Sequence, residues 1–245
     1  MKETTQIYGI RAVIEAITAN EPIDKVFVQR GLQGTLSKEL ERLVRAKGLN
    51  TSYVPIEKLN RLTNNNHQGV VANISPIRFH DLSVLVDTVM EQKKDPLFLL
   101  LDQLSDVRNF GAIIRTAECT GVDGIIIQKK GAAPVTSDTI KTSAGAAFLV
   151  PIVKVDHIKD AVFYLQASGV SVIAATEKTD TSVYETSLKG ACAIIMGSED
   201  RGIAPSTLKA ADHSAKLPLL GEIKSLNVAV ACSVFLYEAV RQRNT

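Results

Sequence analysis

At 245 residues the chain can bury a full core in one or two domains, and its 45% apolar and 22% charged content is that of an ordinary globular protein, neither disordered nor fibrous. No run of about 18 apolar residues occurs, which excludes a membrane-spanning helix. The net charge is only +2, but residues 1–80 hold 11 Lys and Arg against 7 Asp and Glu (+4), leaving 17 against 19 (−2) for the rest, so a basic front end could face a polyanion.

The opening Met-Lys-Glu-Thr-Thr-Gln lacks the apolar core of a secretion signal. After Tyr8-Gly9, residues Ile10, Val13, Ile14 and Ile17 recur at helical spacing. A short strand is predicted over 26–28, then a charged helix over 37–47 capped by Ser37 and closed by Gly48, and then a strand over 51–54. Residues 64–69 read as a loop feeding a strand over 70–74. These elements form a small α/β unit over residues 1–75.

Residues 76–96 form a boundary segment. It is not featureless, because Leu82, Leu85, Val86 and Val89 fall on one face of an amphipathic helix, which Asp95-Pro96 ends. The unit over 97–245 opens with Leu97-Phe-Leu-Leu-Leu101, an apolar run suited to a strand covered on both faces. Further strands are predicted over 124–128, 148–153, 170–175, 191–196 and 215–217. Helices over 109–120, 136–144, 158–168 and 203–210 alternate with them, the pattern of a parallel sheet with helices on both faces. A final helix is expected to start at Ser225 as its N-cap; from Leu226 to Tyr237 only Asn227 and Ser233 are polar, so most of it should be buried. Cys119, Cys192 and Cys232 lie among apolar residues without metal or disulfide spacing, and His67, His80, His157 and His213 are scattered. Buried thiols in a reducing cytoplasm and no metal site are the expectation.

Three short patterns follow predicted strands. The first runs from Asp102 through Asn109, Gly111 and Arg115 to Glu118, where the spacing also suits an ordinary exposed Arg–Glu pair. The second is Gly197-Ser-Glu199-Asp-Arg-Gly202, in which Gly197 permits close backbone approach and Gly202 an unusual conformation; any strand-to-helix turn could carry it. The third is Leu217-Pro218 followed by Ser225-Leu226-Asn227, which a capped core helix would also explain.

In this order the three patterns resemble the signatures of the SpoU-type RNA ribose 2′-O-methyltransferases of the SPOUT superfamily. Val107-Arg108 stands where relatives often carry a proline turn. Tyr8-Gly9 and His67-Gln68-Gly69 resemble landmarks of the ribosomal-protein-like RNA-binding domain that many of these enzymes carry. The resemblance covers essentially the whole chain, and its layout is most similar to that of bacterial enzymes acting on a guanosine ribose of large-subunit rRNA; tRNA-acting relatives share the catalytic half.

The resemblance implies a substrate domain over 1–75, a linker over 76–96 and a catalytic domain over 97–245 knotted as a trefoil, although threaded loops are nearly absent from proteins generally. It implies S-adenosylmethionine held by Gly197, Leu217, Leu226, Thr176, Ile223 and Ser225, mostly through backbone. It implies a catalytic set of Arg115, Asn109, Glu199 and Asn227, without a metal. Because a guanidinium keeps its proton, Arg115 is read as holding a phosphate and acidifying the hydroxyl by its charge. Asn109 would orient the ribose or Arg115, and Glu199 would order its loop or accept a proton through water. RNA, either rRNA or tRNA, is the expected partner, together with a second copy of the chain docked on the apolar final helix. Two other functional classes fit the sequence less well. A non-catalytic RNA-binding protein has no need of the intact polar set, and a nucleotide-dependent oxidoreductase would show Gly-x-Gly-x-x-Gly after the first strand, where only Gly111 occurs.

Overall fold

The computed structural model describes residues 6–223 and 225–244. The N-terminal residues expected to carry no signal lie, apart from Gln6, outside the described residues. The chain divides into a smaller unit, residues 1–78 with 135–137, and a larger one, residues 79–134 with 138–245.

In the smaller unit the elements run β1 (Gln6–Tyr8), α1 (Ile10–Thr18), β2 (Ile23–Gln29), α2 (Thr35–Ala46), β3 (Thr51–Val54), α3 (Ile56–Leu62) and β4 (Val70–Ile74). The sheet order is β1-β4-β2-β3, with only the β2–β3 pair parallel. One face is sealed by Ile10, Val13, Ile14 and Ile17 of α1 with Leu40 and Val44 of α2, and the other by Leu59 of α3 over Phe27, Val54 and Val71. The helix expected from Ser37 starts two residues earlier. Ser37 lies inside it and donates its hydroxyl to Leu32 O at 2.9 Å.

In the larger unit the elements are α4 (Leu82–Gln92), β5 (Leu97–Leu101), α5 (Val107–Cys119), β6 (Gly124–Gln128), α6 (Ser137–Thr142), β7 (Ile152–Val155), α7 (Ile158–Ala167), β8 (Ser171–Ala175), β9 (Cys192–Met196), α8 (Pro205–Leu208), β10 (His213–Ala215) and α9 (Val228–Arg243). Six strands pair in the order β10-β8-β9-β5-β6-β7, all parallel. Alternate residues of a strand face opposite ways. Phe98, Leu100, Ile126, Val172, Ala193 and Ile195 pack with Leu85 and Val86 of α4 and with Ile158, Val162 and Leu165 of α7. Leu97, Leu99, Ile125 and Ile194 are equally buried on the other face, where α9 lies against β9 and α5 against α9. The sheet is therefore dry on both sides, as a parallel sheet requires.

Three expectations shift. Residues 148–153 are not one strand: a left-handed Gly145 leads into a 3₁₀ turn at Ala146–Phe148, Phe148 and Leu149 are exposed, and the strand starts only at Ile152. The final helix starts at Val228 with Asn227 as its cap, and Ser225 is exposed outside it. That helix is also less buried than its composition suggests. Val228, Phe235 and Leu236 are buried, but Val230 and Tyr237 are exposed. Cys192 and Cys232 are buried thiols, with Cys232 pushed up to about 12 by burial, whereas Cys119 is exposed.

The end of α9 closes the sheet from beneath. Arg243 donates to the carbonyls of Leu188 (3.1 Å), Asp95 (2.9 Å), Pro96 (3.3 Å) and Gly190 (2.8 Å), all just ahead of β5 or β9. The buried Gln242 accepts from Leu188 N at 2.8 Å and donates to Thr186 O at 3.0 Å.

Candidate active site

Ligands of parallel α/β sheets bind beyond the carboxyl ends of the strands. At that end of β5 the chain enters α5, whose N-cap Asp106 accepts from Asn109 N at 2.7 Å. Gly111 lets α5 run tight against the end of α6, since a Cβ there would stand 1.9 Å from Thr142 Oγ1. At the same end of β9 a five-residue turn closes on itself. Ser198 N donates to Gly202 O (3.1 Å) and Gly202 N to Ser198 O (2.9 Å). Gly202 is left-handed at φ 66°, and a Cβ on Gly197 would lie 2.2 Å from the Gly202 carbonyl carbon, so both glycines are required by the turn.

The turn carries Glu199 to the start of α5 and the start of α9. Glu199 Oε1 accepts from Asn109 Nδ2 at 2.9 Å and from Asn227 Nδ2 at 2.7 Å, and Asn227 Nδ2 also donates to Asn109 Oδ1 at 3.0 Å. Asn227 Oδ1 meanwhile caps α9, accepting from Ala229 N and Val230 N. Three segments distant in sequence thus converge through three side chains, each part of the expected catalytic set. Arg115, the fourth, does not join them. Six residues beyond Asn109 it lies about 9 Å further along the helix, exposed and without a hydrogen-bond or ion-pair partner among the described residues. The Arg115–Glu118 pair allowed by the spacing does not form, which leaves the guanidinium available to a ligand.

The residues expected to hold the cofactor cluster by strand order. Thr176, Gly197 and Leu217 follow β8, β9 and β10, which are neighbours in the sheet, and Thr176 N donates to Ala215 O at 2.9 Å. From Leu217 to Leu226 no backbone group pairs with another among the described residues. The same segment exposes apolar side chains: Leu220 fully, Ile223 at 79% and Leu226 at 44%. Free amides and carbonyls beside exposed aliphatic groups suit an adenine edge and the alkyl arms of a sulfonium, so the residues fit S-adenosylmethionine. Among the described residues no cluster of His, Cys, Asp and Glu is arranged to hold a metal, and no helix is long and apolar enough to cross a membrane.

In the smaller unit the two landmarks meet, with Gly9 N donating to Val70 O at 3.1 Å and Gly9 packed beside the Gln68 side chain. His67 is buried, and both its ring nitrogens are used internally: Nδ1 accepts from Gly69 N at 3.0 Å, and Nε2 lies 2.8 Å from Asn60 Oδ1. The ring builds the turn, while Asn64, Asn65, Asn66 and Gln68 stand exposed around it.

Residues 96–237 match the SpoU rRNA Methylase family, and residues 6–80 match the family described as RNA 2'-O ribose methyltransferase substrate binding. The chain belongs to the SpoU methylase family. It is 34% identical to the 23S rRNA (guanosine-2'-O-)-methyltransferase RlmB of Coxiella burnetii, over 99% of this chain and 98% of that one. It is also 34% identical to a putative TrmH family tRNA/rRNA methyltransferase of Staphylococcus aureus, over the same shares. The SpoU methyltransferase AviRb from Streptomyces viridochromogenes in complex with AdoMet superposes with a TM-score of 0.61 at 25% identity, covering 97% of this chain and 89% of that one. The chain is thus an S-adenosylmethionine-dependent RNA ribose 2′-O-methyltransferase with an N-terminal substrate-binding domain.

The sequence marks Asp102 only as the start of the first pattern and assigns it no role. Its side chain is fully buried at the end of β5, with Oδ2 accepting from Ala204 N at 2.8 Å and Oδ1 without a partner. The available signal was a charged residue placed directly after five apolar ones.

Proposed function

We propose that the chain methylates the ribose 2′-hydroxyl of a guanosine in large-subunit rRNA. The observation that carries the target is the end-to-end match, through both domains, to a relative named for that nucleoside in 23S rRNA. A tRNA target is the second reading, because the equally similar Staphylococcus aureus relative is named for tRNA and rRNA together. Residues 1–75 would bind the RNA, 76–96 connect, and 97–245 catalyse. The exposed polar rim of Asn64, Asn65, Asn66 and Gln68 favours RNA contact there.

The cofactor supplies an activated methyl group, and the residues of the chain supply position. Gly197, Leu217, Leu226 and Ser225 would hold it through backbone, with Thr176 and Ile223 beside them. Holding donor and hydroxyl in line supplies roughly 7–11 kcal/mol of the barrier. Arg115, charged and unpaired, grips the phosphate next to the target and stabilises negative charge growing on the 2′-oxygen. Asn109 has a second amide hydrogen left for the ribose, and Glu199 has its Oε2 left to take the departing proton through water. Helix α9, the last element, packs back against α5 and β9, which favours the trefoil threading. The exposed Val230 and Tyr237 of α9, with Leu220 and Ile223, favour a homodimer formed by the catalytic half. The rRNA substrate favours a cytoplasmic location.

Mapping ribose methylation across rRNA and tRNA in cells with and without the gene tests the target. One large-subunit guanosine should lose its methyl group; a tRNA position lost in its place would overturn the rRNA assignment.

A further inference from the structure

The least explained group in the larger unit is the carboxylate of Asp102. It is 0% exposed, yet Oδ1 has no partner and no cation lies in contact with it among the described residues. Burying a polar atom unpaired costs about 1–3 kcal/mol, and more for a charge. Such a group persists where the surrounding structure uses it.

What it holds is specific. Asp102 directly follows β5, and its backbone N donates to Met196 O at 2.8 Å, so the residue sits where β9 gives way to the glycine turn. Its Oδ2 accepts from Ala204 N at 2.8 Å, just past the far end of the same turn. One residue therefore touches the chain on both sides of the turn, through its main chain before Gly197 and through its side chain after Ile203. Between those points the turn has its own Ser198–Gly202 bonds and projects Glu199 to Asn109 and Asn227. The rest of the turn meets solvent, with Asp200 and Arg201 exposed.

We propose that Asp102 is a positioning residue for methyl transfer, clamping the 197–204 turn so that Glu199 is presented to Asn109 and Asn227. It acts through Glu199 and touches no reactant itself. This rests on the methyltransferase reading above, and its test has one readout that does not depend on turnover.

The full-length chain carries the substitutions. In Asp102→Asn the side-chain oxygen still accepts from Ala204 N, and turnover should stay within about threefold of wild type. In Asp102→Ala the acceptor is lost. Amide hydrogen exchange over 198–204 should then accelerate at least tenfold while the β5 and β6 amides stay protected, and single-turnover methyl transfer should fall at least tenfold. In a Glu199→Ala background the same substitution should cost little further rate, because its effect passes through that carboxylate. If Asp102→Ala does not fold, Asp102→Ser, whose shorter side chain stops short of Ala204 N, is read with the same expectations. Unchanged exchange over 198–204, or a full additional loss of rate in the Glu199→Ala background, would overturn the proposal. Absence of methyl transfer by the wild-type chain, with the exchange pattern as expected, would fault the functional reading and leave the clamp standing.

Discussion

The two ends of the larger unit's sheet are built on opposite terms. At the amino end of β5 and β9, Arg243 and Gln242 satisfy the carbonyls of Asp95, Pro96, Leu188 and Gly190 and the amide of Leu188. At the carboxyl end, among the described residues from Leu217 to Leu226, no backbone group pairs with other backbone, Leu220 is fully exposed, and a buried carboxylate oxygen is unpartnered. Each of those features would count as a defect in a protein built only for stability. They gather where ligands of parallel sheets bind, opposite the end that Arg243 and Gln242 close. The contrast teaches that stability and reactivity reside at separate ends of one sheet, so mutations at the two ends should have different signatures.

Arg115→Ala should produce the larger effect and the cleaner one. Methyl transfer should drop roughly 100- to 1,000-fold, the usual cost of losing one electrostatic group aimed at the transition state. Donor affinity and thermal stability should hold, because the side chain has no partner among the described residues. Arg115→Lys should fail as well, since an ammonium cannot offer the planar fork. A near-normal single-turnover rate for the lysine variant would show that charge alone suffices.

Arg243→Ala should invert that pattern. It leaves four carbonyls short of a charged donor, a loss of about 2–3 kcal/mol. For a chain of this size that lowers the melting temperature by roughly 4–12 °C. Methyl transfer measured well below the melting point should change less than about twofold. A matching fall in rate without loss of stability would mean the two ends are coupled, and the contrast would fail.

Much of this was legible in the sequence, and the reasons are local. The strand Leu97–Leu101 announces itself as five apolar residues in a row, and β3, β4 and β6 likewise lie where pattern predicts them. The failures are also physical. Residues 148–150 are as apolar as a strand, but Gly145 turns the chain first and Phe148 and Leu149 point outward. Helix α3 has a single buried residue, Leu59, which leaves no periodicity to detect. Ser225 and Asn227 are both good caps by chemistry, and only the three-dimensional path of the loop decides for Asn227. The polar cluster was named from its resemblance to a family, since nothing in local pattern brings together residues 28 to 118 positions apart. Asp102 escaped because its role depends on Ala204, about a hundred residues away.

An S-adenosylmethionine site at the open end of the sheet should bind the cofactor without RNA present. Calorimetric titration of the full-length chain with S-adenosylmethionine and, separately, with NAD tests it most directly. Saturable binding of S-adenosylmethionine, with no heat from NAD, is the predicted result; binding of NAD without binding of S-adenosylmethionine would contradict the account.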